Sequence, residues 1–259
     1  MNPSREPIDF RNLWRSLVPA ETGGWFISLF PMIGGLAARP SWEGAALEGM
    51  GFLAFLLRVP IRQWHAGVRR RVSRWLVFSG VLGILLLAAV LLRRGGPATL
   101  IPPLLALPFG LVALAADLRR RSRNLLVELC ALAFFCVFGG GAVWTGGGGG
   151  PSALRIGLLA FLTLAPGFAA VRFHLQAHRD IPGPASGPRK LEMHLVMGAC
   201  LGVGVWMWHR GLAGPAWLAL QVLLYPRALL PLRKGPPWRI GVLEILAEAA
   251  GLTLAVLHL

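Results

Sequence analysis

Apolar residues in this chain come in runs of about twenty, divided by short basic turns. Nine such runs can be drawn, at about 22–39, 43–60, 75–92, 98–116, 125–144, 152–171, 191–208, 215–232 and 240–258. Roughly twenty apolar residues carry a helix across the hydrocarbon of a bilayer. The pattern therefore predicts an all-α, polytopic transmembrane helix bundle of about nine spans. The expected organisation is a cytoplasmic segment over residues 1–21 leading into one bundle domain over 22–259. Within that first segment, DFRNLWRSLV puts Phe10, Leu13, Trp14, Leu17 and Val18 on one helical face, with Arg11 and Arg15 opposite. That spacing predicts a short interfacial helix. No cleavable leader is expected, because the first apolar block begins near Gly23, behind polar sequence.

The polar positions set the direction of threading. Lys and Arg accumulate on the cytoplasmic side of membrane proteins. With nine spans, Arg39, Arg93, Arg94, Arg155 and Arg210 fall on one side, and the other 21 of the 26 Lys and Arg fall on the N-terminal side. Arg58, Arg62, Arg69, Arg70, Arg71 and Arg74 form the densest group, between the second and third runs. The expectation is a bacterial inner-membrane protein with its N-terminus inside and its C-terminus outside. Tryptophans fit the same frame. Trp42, Trp144, Trp206, Trp208 and Trp217 fall near outer ends, and Trp25, Trp64, Trp75 and Trp238 near inner ends, as an aromatic belt requires.

Composition agrees with the pattern. The chain has 259 residues, of which 55% are hydrophobic and 14% charged, with a mean hydropathy of +0.62. Soluble domains carry about 25% charge. A net charge of +15 would point to nucleic acid in a soluble protein. Here the charges sit in turns between spans, so the partner expected is the lipid bilayer and no nucleic acid. Cys130, Cys136 and Cys200 all lie in apolar runs without metal spacing, and read as packing residues. The TGGGGG run at 145–150 reads as a flexible outer loop. It lacks the Lys-Ser/Thr of a phosphate-binding loop.

Ionisable residues inside spans are costly and face partners or cavities. Glu48 lies in the second run, Glu128 in the fifth, and Glu244 and Glu248 share one face of the ninth. Glu21 opens the first run and Asp117 closes the fourth. Arg58, Arg172 and Arg227 close the second, sixth and eighth, with Arg62 one turn beyond Arg58. In the nine-span frame most of these gather at the inner edge. They define either a polar cavity open to the cytoplasm or ion pairs that fix helix register. His174 and His178 sit four apart, near Asp180, in the longest inner connection. That spacing alone is more often a solvated pair than a metal site, and no metal site is assigned. No nucleophile motif is present, and no catalytic residue is assigned.

The stretches PAETGGWFISLFPMIGGLAA and LRKGPPWRIGVLEILAEAAG resemble the YwiC-like family of bacterial multi-pass membrane proteins. Glu21, Gly23 and Trp25 match the family's opening motif, and Gly241 and Glu244 its closing one. Thr22 stands where the family has histidine, and Gly24 where it has alanine. The family implies no established activity. A more distant architectural resemblance is to the UbiA-type intramembrane prenyltransferases, which hold a diphosphate through Mg²⁺ on aspartate-rich motifs after spans two and six. This chain has LLRVPIRQW and RFHLQAHRD at those places. One aspartate cannot supply two metal clusters, so Mg²⁺ is not supported. Arg58, Arg62, Arg172 and Arg179 stand there instead, and guanidinium forks bind phosphate or carboxylate directly.

Three readings follow. The first is binding or transfer of an amphipathic anionic lipid or isoprenoid-type molecule in a cytoplasm-facing cavity. If that is enzymatic, the protein is a UbiA-like transferase without the usual metal motifs. The second is a small-solute or ion transporter using intramembrane Glu residues. The third is a non-enzymatic component working through a protein partner that the sequence does not specify.

Overall fold

Each apolar run closes as a helix. The computed structural model describes residues 22–68, 70–119, 124–177, 186–225 and 237–257. Among these are nine α-helices: α1 (Thr22–Ala38), α2 (Trp42–His65), α3 (Arg70–Gly95), α4 (Ile101–Leu118), α5 (Leu125–Val143), α6 (Gly149–Ala177), α7 (Ser186–His209), α8 (Pro215–Leu224) and α9 (Pro237–Leu257). The described residues contain no strand. The N-terminal interfacial helix expected over 10–18 lies outside them.

Five stretches are long and apolar enough to cross a membrane: Trp42–His65, Arg71–Gly95, Pro97–Leu118, Leu125–Phe173 and Leu191–His209. Three shorter apolar helices accompany them, at Leu29–Ala38, Pro215–Leu224 and Ile245–Leu257. In hydrocarbon every backbone group must be satisfied within the chain, which is why the runs fold as helices. The protein is thus an all-α membrane helix bundle.

Local chemistry fixes the helix ends. Ser41 caps α2, its Oγ accepting from the Gly44 amide at 2.9 Å. Asn124 caps α5 in the same way, accepting from the Leu126 amide at 3.1 Å. α2 continues five residues beyond the run drawn from sequence, through Pro60. Its amphipathic last turn, Arg62–His65, carries the helix past the apolar segment.

The glycine run departs from expectation. It is no loose loop but a π-helical turn, Trp144–Gly148, leading straight into α6. Gly147 and Gly149 take φ of +83° and +73°, a region glycine enters without steric cost. Those two residues reverse the chain, and α5 and α6 return side by side as an antiparallel hairpin.

α5 is central. Its consecutive glycines Gly139, Gly140 and Gly141 let four neighbouring helices approach closely. Gly139 meets the Pro31 carbonyl of α1, Gly140 the Ala153 carbonyl of α6, and Gly141 the side chains of Pro102 and Leu47 from α4 and α2. Without a hydrophobic drive between helices in lipid, such small-residue surfaces supply the packing. One core joins Leu132 and Cys136 of α5 to Leu159 of α6, Cys200 of α7, Trp217 of α8 and Leu252 of α9. A second joins Leu47, Leu91, Ala106 and Phe138 of α2 to α5. α3 and α4 lie at the rim, with only 11% and 17% of their apolar windows buried.

Candidate functional site

The helix directions bring the predicted charged residues together in pairs. α2 runs against α5, with Gly51 on Phe138 and Phe55 edge-on to Phe135 at 5.5 Å between ring centroids. α4 also runs against α5, with Gly110 on Phe134 and Gly141 on Pro102. The C-terminal part of α2 and the last turn of α4 therefore meet at one end of the bundle. There Arg58 grips Asp117 with two prongs: Nη2 donates to Oδ1 at 2.8 Å and Nε donates to Oδ2. The Asp117 side chain has no exposed surface, and that of Arg58 keeps 30%.

The α5–α6 hairpin makes the second pair at the same end. Arg172 Nη1 donates to Glu128 Oε2, with side chains 19% and 23% exposed. Both pairs are charge-assisted, and the first is bidentate, the stronger and more directional kind. The first joins α2 to α4, and the second closes the α5–α6 hairpin. Arg62, one turn beyond Arg58, is exposed, and Glu248 is half-buried on α9. Glu21 and Arg227 lie outside the described residues, as do the side chains of His174 and Glu244, and His178 and Asp180 of the expected histidine pair. No group of three or more His, Cys, Asp and Glu that could hold a metal occurs among the described residues.

A shallow apolar crevice, open to the surroundings, lies elsewhere, between α6, α7 and α8. None of the candidate residues whose side chains are described lines it. Its walls include Leu162, Pro166, Met197, Cys200, Trp217 and Gln221. Two polar features interrupt this lining. Gln221 Nε2 is buried and has no hydrogen-bond partner among the described residues. Pro166 cannot donate, so the Leu162 carbonyl lacks its usual partner four residues on.

Trp217 corrects one expectation. It was placed in the outer aromatic belt, yet it is 1% exposed, inside the bundle. Its Nε1 donates to Thr163 Oγ1 at 3.0 Å, and that hydroxyl donates to the Leu159 carbonyl at 2.7 Å. A buried indole needs such an acceptor, and Thr163, 54 residues away, supplies it. Trp42, Trp206 and Trp208 are exposed at 81%, 51% and 47%, as a belt requires. The crevice residues were not legible as a site. The available signals were a proline inside the sixth run and a lone glutamine in LALQVLLY.

Fold and site together define a multi-pass helical membrane protein with two buried or half-buried ion pairs, Arg58–Asp117 and Arg172–Glu128, near one end. Residues 18–143 match the family model described as YwiC-like protein, so this segment is similar to the YwiC-like proteins. The matched segment holds the opening motif with Glu21, Gly23 and Trp25. The closing motif with Gly241 and Glu244 lies beyond it. No curated protein and no solved structure matches the chain, so the likeness to UbiA-type prenyltransferases rests on the sequence reading alone.

Proposed function

We propose that this protein binds an amphipathic anion, with its apolar chain in the α6–α8 crevice and its anionic group at the arginine-rich end of the bundle. The observation that carries this reading is the position of the crevice along α6. Pro166 in its wall lies six residues from Arg172, about 9 Å of helix rise. Met197 and Tyr225, which also line the crevice, pack with Ala169 and Phe173 in the cluster that leads towards Arg172. The crevice is open to the surroundings, so a segment of chain would lie along it and a whole lipid would not fit within it. Gln221 and the Leu162 carbonyl give a donor and an acceptor for a polar group along that chain. The distribution of Lys and Arg makes the arginine-rich end the cytoplasmic one.

Native mass spectrometry of the detergent-purified protein tests the proposal. Wild type is expected to retain an anionic amphiphile. Cys200→Phe, which fills the crevice, is expected to lose it, while Val203→Phe on the exposed face of α7 keeps it. Absence of any bound amphiphile in wild type, or equal retention by both variants, overturns the reading.

A further inference from the structure

Glu48 stands apart from the other intramembrane carboxylates. It is 4% exposed in α2, and neither carboxyl oxygen has a hydrogen-bond partner among the described residues. Asp117 and Glu128 each face an arginine. Glu48 occupies the stripe Gly44, Glu48, Gly51 and Phe55, spaced along one face of α2. That face is packed on both sides. Gly44 lies against Leu36 of α1 and the Ala142 carbonyl of α5, Gly51 against Phe138, and Phe55 with Met32 and Phe135.

An uncompensated charge in such a place costs several kcal/mol or more. A metal ion would not relieve it, because hard cations take about six or more oxygen ligands. No cluster of acidic or metal-ligating side chains surrounds Glu48 among the described residues. A proton needs no further ligand. Cys136 of α5 interacts with Glu48 electrostatically. Met32 and Leu36 of α1, which pack against Phe55 and Gly44 of the same stripe, are apolar.

We propose that Glu48 binds an exchangeable proton, making it a protonation site inside the membrane domain, loaded from the end where α2 begins. Glu48 lies six residues from Trp42, about 9 Å of rise, and 17 from His65, about 26 Å. The near end is polar: the Ser41 hydroxyl caps α2, Gly146 abuts the Arg39 carbonyl, and Thr145 bonds back to Gly141. With the proton bound, the carboxyl is neutral and the α1–α2–α5 packing is tolerated. Its loss places a charge among apolar groups and favours an arrangement that admits water. The proposal is independent of the amphiphile site, which lies on other helices.

Infrared difference spectroscopy on the full chain in liposomes tests it. A carboxylic-acid C=O band is expected to grow as pH falls, and to be missing from Glu48→Gln. A band unchanged in Glu48→Gln, or one that ignores pH, overturns the proposal. Should Glu48→Gln fail to fold, a hydrophobic carbodiimide, which attacks protonated carboxyls, is applied to wild type and the adduct located by peptide mass spectrometry. Labelling at Glu48 that declines as pH rises supports the site. No labelling at any pH, or labelling independent of pH, overturns it.

Discussion

Asp117 is closed off from its surroundings, and one guanidinium holds both of its oxygens. Removing one partner of such a pair leaves a buried charge unmatched, at about 3–5 kcal/mol. Because Arg58 keeps 30% of its side-chain exposure, the low end applies. Asp117→Ala is expected to cost about 3 kcal/mol in detergent-solubilised unfolding. Arg62→Ala, at an exposed position one turn away, is expected to stay within about 0.5 kcal/mol. Equal losses would mean that the pair contributes nothing particular. The sequence named both Arg58 and Asp117 but could not join them. They are 59 residues apart, and the rotation of each helix about its axis decides which side chains meet. In a soluble helix a polar face reveals that rotation. A helix apolar on all sides, such as α4 or α5, gives no such cue. Trp217 was misread for the same reason: its position in the chain was clear, but the direction it faces was not.

At the level of elements, the helical character of the apolar runs was legible, since lipid leaves the backbone no alternative to a helix. Contacts between helices were not, because they depend on where α1, α2, α4 and α6 meet the glycines of α5. A Cβ at Gly139 would lie 2.3 Å from the Pro31 carbonyl, which is backbone and cannot turn aside. Gly139→Ala is therefore expected to destabilise by about 1–3 kcal/mol, through forced separation of α1 from α5. Gly198→Ala on α7, where nothing lies within 4 Å, is expected to raise stability by up to about 1 kcal/mol. Thermal unfolding of the two variants in one detergent reads the contrast. The 145–150 run was misjudged because glycine composition permits both a loose loop and a tight reversal. Only the positive φ at Gly147 and Gly149 distinguishes them.

For the whole molecule, α2 and α4 each run opposite to α5, and α5 and α6 form an antiparallel hairpin. Ala66 and Arg94 cap opposite ends of the α2–α3 region. With Ala66→Cys and Arg94→Cys, an impermeant maleimide added to intact cells is expected to label only the second. Ala66→Cys is expected to react once the membrane is opened. Labelling of both in intact cells would break the topology, and with it the placing of the arginine-rich end inside.

α6 has a further property. Near its start, Arg155 Nε donates to the Leu212 carbonyl at 2.6 Å, in the turn between α7 and α8. Near its finish, Arg172 is tied to Glu128 of α5. A rod anchored at both tips cannot slide lengthwise without breaking a fastening. What it can do is bow, and Pro166, between the two anchors, is where its backbone resists bending least. Any mechanical stroke in this protein is then a flexing of α6 at Pro166, which would widen or narrow the gap beside Met197 and Trp217 with both tips still pinned.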